Sequence, residues 1–162
     1  MVSANDALKK FKDGGFKYLD LRFTDPKGKW QHLTMDGTSV DEDLLNNGVF
    51  FDGSSISGWK AINESDMVLK PDVSTAVLDP FTAQPTMIVF CDILDAVSKE
   101  SYGRDPRGTA RKAEAYVKSS GIGDTIYMGP EAEFFVFDDV KFSVEMNKSM
   151  FAIDSIEGPY NT

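Results

Sequence analysis

Two segments of the chain carry side chains whose types and spacing could do chemistry. The first is GPEAEFFVFDD, residues 129 to 139. In a strand successive side chains alternate faces, so Glu131, Glu133, Phe135 and Phe137 would share one side and Ala132, Phe134 and Val136 the other. Two acids would then open an otherwise apolar strand. Residues i and i+2 on one face lie about 6.5–7 Å apart. At that separation each glutamate can hold one hard cation of an adjacent pair, or both can serve a single site with water. Burying carboxylates among apolar neighbours is costly unless a cation or a donor compensates, which makes a metal attractive. The same spacing fits a pair of solvated glutamates on a sheet edge, and spacing alone leaves both readings open. A glycosidase pair fits less well, because those carboxylates flank a scissile bond from opposite sides whereas these project in parallel from one strand.

The second segment is VFFDGSSISGWKAINESDM, residues 49 to 67. Gly53 and Gly58 are spaced as in a phosphate loop, but Trp59-Lys60 stands where Lys-Ser/Thr is needed and the pattern shows no strand-to-helix transition, so that reading is rejected. What remains is a loop of small residues with Asp52 at its head and Trp59 toward its end. It is either a turn in which Asp52 accepts backbone N–H bonds and Trp59 packs on the core, or a functional flap, for which its length and flexible composition are suited.

The elements that must position these segments can be read in turn. Ser3 as N-cap, Asp6 three residues on and Gly14-Gly15 predict a helix over Ala4 to Lys12. Leu19, Leu21 and Phe23 alternate with polar residues, and Asp25-Pro26-Lys27-Gly28 turns the chain into a second strand from Trp30 to Met35. A short helix is expected from about Val40 to Asn46, capped by Ser39 and stopped by Gly48. Met67 to Leu69, Ala76 to Leu78 and Met87 to Leu94 read as strands. The first part is therefore α+β, a small mixed sheet with helices packed on it. The polar stretch KESYGRDPRG, residues 99 to 108, is a candidate domain boundary. After it, Asp105 as N-cap, Pro106 in the first turn, the recurrence of Ala110, Ala113 and Val117, and Gly121 as stop define a strong helix. Beyond it TIYMGPEAEFFVFDDVKFSV reads as strand after strand, with Phe151 to Ser155 pairing back on Lys141 to Glu145 across Asn147-Lys148. The sequence stops at Gly158-Pro159-Tyr160-Asn161-Thr162, leaving the second unit unfinished.

The 162 residues hold 17 Lys+Arg against 26 Asp+Glu, a net charge of −9. With the basic residues scattered singly, that balance excludes a general nucleic-acid binder. A composition 41% hydrophobic and 27% charged is that of a folded domain rather than a disordered tail. No apolar run approaches the ~18 residues needed to cross a bilayer, and MVSANDALKK lacks a signal-peptide core, so the default expectation is no membrane and a cytoplasmic location. The single cysteine, Cys91, sits in the apolar run TMIVFCDIL and reads as a buried, inert thiol. His32, the one histidine, cannot build a His-rich zinc site. The N-x-S sequons at Asn63 and Asn147 read as chance matches.

Taken together, KYLDLRFTDPKGKWQH (17 to 32), FDGSSISGWKAINESDMVLKPD (51 to 72), DPF (79 to 81), CDIL (91 to 94), RDPRGTARKAEAY (104 to 116) and GPEAEFFVFDD (129 to 139) resemble the N-terminal part of bacterial type I glutamine synthetases. The resemblance runs in family order over almost the whole chain, with weaker stretches at 36 to 48 and 141 to 157. It implies an N-terminal β-grasp-like domain over residues 1 to 103, then the opening helix and first antiparallel strands of a catalytic domain over 104 to 162. It implies ATP- and divalent-metal-dependent ligation of ammonia to glutamate through a γ-glutamyl phosphate. By position, Glu131 and Glu133 match ligands to two cations, Mg²⁺ or Mn²⁺, and Asp52 matches the aspartate that binds ammonium and takes its proton. Ser55 and Trp59, on the same loop, are given shaping roles. The resemblance also implies a homo-oligomer of stacked rings, in which Asp52 of one chain and the Glu131/Glu133 pair of its neighbour serve one active site. A fragment of this extent is expected to be inactive alone. Two other classes remain: a γ-glutamyl ligase acting on another amine, and a non-catalytic β-grasp interaction module.

Overall fold

The computed structural model describes residues 2–61 and 64–159. Asn63 of the first sequon and the closing residues 160–162 lie outside the described residues. One compact unit runs to Ile126 and a second begins at Tyr127.

The first unit opens with helix α1 (Ala4–Asp13), closed at its start by a capping box in which Ser3 and Asp6 satisfy each other's backbone N–H. Its buried face, Ala4, Ala7 and Phe11, lies on a six-stranded sheet ordered β2-β1-β6-β4-β3, with β5 paired to β6. Strands β1 (Tyr18–Thr24) and β2 (Trp30–Asp36) form the expected hairpin. The buried carboxylate of Asp25 fastens the turn by accepting the N–H groups of Lys27 and Lys29, each at 2.9 Å. Helix α2 (Glu42–Asn47) is capped by Asp41 rather than Ser39, which falls in a preceding 3-10 turn. Asp41 wins because its side chain reaches Leu44 N at 2.8 Å. The helix ends at Gly48, whose φ of +83° and tight approach to the Leu69 carbonyl leave no room for a Cβ.

Strands β3 (Val49–Asp52), β4 (Asp66–Pro71), β5 (Val77–Leu78) and β6 (Thr86–Asp95) complete the sheet. The first half of β6 runs parallel to β1, pairing Thr86 with Tyr18 through Phe90 with Arg22. Its second half runs antiparallel to β4, pairing Cys91 with Pro71 through Asp95 with Met67. A hairpin joined to a parallel central strand and backed by a helix is the expected β-grasp plan. Leu19, Leu21, Met67, Leu69, Met87, Val89, Cys91 and Ile93, all under 2% exposed, form the centre of the core against the two helices.

Helix α3 (Pro106–Ser120) also packs within this unit. Its cap, Asp105, is 1% exposed and accepts N–H bonds from Arg107 at 3.1 Å, Gly108 at 3.1 Å and Ile93 of β6 at 3.2 Å. Arg107 pairs with Asp72 and, at 3.2 Å, with Asp92, while Arg111 reaches Asp92 at 2.9 Å. One carboxylate thus both starts the helix and fixes it to the sheet. Asp105→Ala should cost about 2–3 kcal/mol, since it strands buried donors as well as removing a cap. Burial raises the Asp105 pKa, and the three N–H bonds offset that only in part. Because the folded-state pKa is raised, the stability this group contributes is complete below about pH 4 and is lost as pH rises through the folded value. Asp105→Asn cannot ionise, so its urea midpoint should gain on the parent's as pH rises above the ordinary aspartate range of about 4; a pH-independent offset would contradict this.

The second unit is a hairpin, β7 (Asp139–Val144) and β8 (Ser149–Asp154), in register from Asp139–Asp154 to Val144–Ser149. This is the expected pairing across Asn147-Lys148. Val140, Phe142, Val144, Met150, Phe151 and Ile153 are all exposed. The strand expected over GPEAEFFVF is not formed: residues 129–137 carry no strand assignment. The apolar alternation is present, but a strand exists only where a neighbour takes its backbone N–H and C=O groups, and no named strand among the described residues pairs with this stretch. Among the described residues no helix is long and apolar enough to cross a membrane.

Candidate functional site

Asp52 is the last residue of β3, a strand whose VFF is too short to show a period in the sequence. Its carboxylate caps a 3-10 turn over Gly53–Ser55, accepting Ser54 N at 2.8 Å and Ser54 Oγ at 2.6 Å. These bonds, the hydroxyl's first and the backbone's second, hold its pKa below the ordinary aspartate value, with smaller contributions from Ser65 and Ser55. The group is exposed and stays an anion throughout the neutral range. A carboxylate of depressed pKa suits attracting a cation better than storing its proton. Across the β3–β4 ladder Asp52 stands directly opposite Asp66, also exposed. Like charges so placed oppose folding and favour a cation nearby. Sequence reasoning missed Asp66; only the register of two strands joined by a thirteen-residue connection brings it beside Asp52.

The loop beyond Asp52 is fixed at both ends. At its base Gly53 N donates to Ser65 O at 2.7 Å, and a Cβ on Gly53 would collide with Met67. Toward its far end Trp59 is 5% exposed, wedged against Phe23 at 5.6 Å, Phe51 at 6.1 Å and Tyr102 at 5.8 Å between ring centroids. The tryptophan therefore anchors the loop in the core, and its indole Nε1 is buried without a hydrogen-bond partner among the described residues. Ser55 is exposed on the turn between the two ends. Among the described residues no α-helix follows Gly53–Ser55 before β4, so the segment lacks the strand-to-helix frame of a phosphate loop.

Glu131 and Glu133 lie in the second unit, both exposed. Nearby, Phe135 and Phe137 stack at 6.1 Å and 11°, an i and i+2 pair on one side of the chain. The two glutamates supply hard oxygen donors of the kind Mg²⁺ or Mn²⁺ accepts alongside water and phosphate. Among the described residues no group of three or more His, Cys, Asp or Glu side chains gathers that could hold a metal.

The remaining candidates are structural. Cys91 is buried and its thiol pKa is pushed strongly upward, first by burial and then by Asp92. His32 Nδ1 lies 2.7 Å from Asp20, which also accepts from Arg22 at 2.8 Å and Thr34 at 2.8 Å on the outer face of the β1–β2 hairpin. Burial works against the charge of Asp20, but its His32, Arg22 and Thr34 bonds outweigh it and hold the pKa low.

Residues 15–96 match the family model described as "Glutamine synthetase, beta-Grasp domain", and residues 103–161 match "Glutamine synthetase, catalytic domain". The chain is 65% identical over 161 residues to a glutamine synthetase of Rhizobium meliloti, covering 99% of this chain and 34% of that one. It is 60% identical over 162 residues to one from Bradyrhizobium diazoefficiens, covering 100% and 34%. The chain thus spans about a third of the length of the curated relatives it matches. Among solved structures, a Plasmodium falciparum glutamine synthetase superposes with a TM-score of 0.73 at 22% identity, over 97% of this chain and 30% of that one. A GmaS/ADP complex superposes with a TM-score of 0.65 at 17% identity, over 74% and 26%. At those identities the likeness is one of fold.

Proposed function

This chain belongs to the glutamine synthetase family, and from that premise we propose that the full-length protein ligates ammonia to glutamate at the expense of ATP. The γ-carboxylate of glutamate attacks the terminal phosphorus of ATP, ADP leaves, and ammonia then displaces phosphate from the acyl phosphate to give glutamine. The observation that carries this reading is the pair of consecutive family matches, 15–96 and 103–161, with relatives at 60–65% identity across the chain. The same matches support a domain boundary near residue 103.

Glu131 and Glu133 would hold Mg²⁺ or Mn²⁺. The bound ions supply neutralisation of the charge on the transferring phosphoryl group. Asp52, an exposed anion at a fixed strand end, draws ammonium to the site and accepts its proton as the nucleophile forms; Ser54 keeps its carboxylate in one orientation. Ser55 and Trp59 shape the loop. In this reading the protein is a cytoplasmic ring-forming homo-oligomer, with the Asp52 loop of one subunit meeting the Glu131/Glu133 segment of the next. Residues 1–162 alone carry two of the carboxylates and are not expected to turn over.

The test is phosphate release by the full-length protein with glutamate and Mg·ATP, comparing ammonia with methylamine and a polyamine. Ammonia should be preferred by about two orders of magnitude in kcat/KM. Preference for an amine would reassign the protein to the amine ligases, and no amine- or ammonia-dependent release would leave the non-catalytic module.

A further inference from the structure

The loop that carries Asp52 is secured by a segment far from it in sequence. Tyr102 donates its hydroxyl to the Trp59 carbonyl at 2.8 Å, and its ring meets the Trp59 indole edge-on at 5.8 Å. Arg104 Nη1 donates to the Gly58 carbonyl at 2.6 Å, with the Trp59 carbonyl at 3.4 Å. Lys60, the next loop residue, spans the same segment: its Nζ lies 3.3 Å from Asp95 and 5.6 Å from the Tyr102 ring centroid. Asp95 is itself held as an anion, with a pKa of about 2, by the Ser98 and Val97 N–H groups and then by Lys60. Tyr102 is locked in turn, its N–H donating to Ile93 O at 2.8 Å and its carbonyl accepting Asp105 N at 3.1 Å. Residues 95–104 thus clasp the end of the loop opposite Asp52, and they lie where the two family matches, 15–96 and 103–161, adjoin.

Between Asp52 and Trp59 the backbone closes in successive turns, Ile56 N to Gly53 O at 3.2 Å and Trp59 N to Ile56 O at 3.1 Å. The turn that aims Ser54 at Asp52 is the first of these. With β3–β4 fixing the near end and the packing of Trp59 on Phe23 and Phe51 seating the far end in the core, the clasp adds the hydrogen bonds that hold the backbone of the far end in place. We propose that Tyr102 and Arg104 are positioning residues for Asp52, acting through the Gly58 and Trp59 carbonyls to hold the turn that orients its carboxylate. This rests on the reading of Asp52 as the ammonium-binding group. The junction between the two matched regions then has a role beyond connection, since its conformation is written onto the ammonium end of the site.

The test uses the full-length enzyme. Tyr102→Phe keeps the ring against Trp59 and removes only the hydroxyl donor; Arg104→Gln, the second variant, leaves the aromatic packing untouched. Each should raise the KM for ammonia about five- to tenfold while leaving those for ATP and glutamate within about twofold. Each should also speed hydrogen exchange in peptides spanning 53–60. Placed on Asp52→Asn, neither should lower ammonia use further, because the effect passes through Asp52. Additive losses on that background, a uniform rise in all three KM values, or unchanged exchange across 53–60 would overturn the proposal. If Asp52→Asn alone behaves as wild type, the Asp52 reading fails and takes this one with it. If Asp52→Asn is impaired while both clasp variants are silent, only the clasp fails.

Discussion

Glu131→Gln or Glu133→Gln in the full-length protein should lower kcat by about a hundredfold or more and raise the metal concentration needed for half-maximal activity. Each change keeps the side-chain shape and removes one unit of negative charge. Hard-cation affinity depends on the number of anionic oxygens, so the loss should appear first in the metal titration and partly recover at high Mg²⁺ or Mn²⁺. Neither glutamate makes a hydrogen bond or ion pair within the described residues, so the substitution breaks no intramolecular contact. The circular dichroism spectrum and oligomeric state should match the parent's, which separates a lost ligand from a lost fold. Normal turnover with normal metal dependence in both variants would remove this segment from the metal site.

Asp52→Asn should abolish most ammonia-dependent synthesis, by about two to three orders of magnitude, while ATP binding persists. Asparagine can still accept the Ser54 N–H through its carbonyl oxygen, so the 3-10 turn has what it needs to form, but the anion is gone. At neutral pH ammonia is mostly ammonium, which a neutral amide neither concentrates nor deprotonates. The depressed pKa of Asp52 gives a pH signature: its charge is present above the ordinary aspartate range and is lost only as pH falls through the still lower folded value. An activity loss between pH 8 and 6 should therefore persist in shape when Ser54→Ala relaxes that pKa toward normal. Assembly supplies the sharper test. Mixed oligomers of Asp52→Asn and Glu133→Gln chains should recover activity neither parent has, because some sites would pair an intact loop with intact metal ligands. Verified mixed rings with no recovery would place Asp52 within its own chain's site or in a purely structural turn.

Local signals read correctly where the chemistry is local. The Ser3–Asp6 capping box, the Asp25 turn, the Asp105-Pro106 start of α3 and its Gly121 stop are each settled within a few residues, and each appears where the sequence puts it. The cap of α2 was misplaced by two residues because Ser39 and Asp41 are both competent caps, and only geometry selects the one whose oxygen reaches Leu44 N. β3 was missed and the strand at 129–137 was over-read for one reason: pairing is a property of two segments, and neither VFF nor EAEFF states its partner. Of the two readings of the loop of small residues, the packed turn holds: Asp52 accepts the Ser54 N–H and Trp59 buries its ring in the core, but its contact with Tyr102, forty-three residues on, has no signal in the local sequence. Asp66 and the Tyr102–Arg104 clasp were illegible for the same reason, since both are consequences of register and long-range packing rather than of spacing.

The course of β6 also governs how the domain is made. Its first half closes the sheet against β1, each residue pairing with a partner synthesised 68 residues earlier, from Tyr18–Thr86 to Arg22–Phe90. At about 5–20 residues per second, a nascent chain carries the finished β1–β2 hairpin for about 3–12 s before β6 exists to cover it. Throughout that interval Leu19, Leu21 and Phe23, almost fully buried at the end, lack the β6 side chains Met87, Val89, Cys91 and Ile93 that complete their core. Parallel pairing across so long a connection cannot be nucleated locally and contributes slow steps to folding. The hairpin's early formation therefore protects little by itself, and synthesis must reach Asp95 before the first unit can become a stable object on the ribosome.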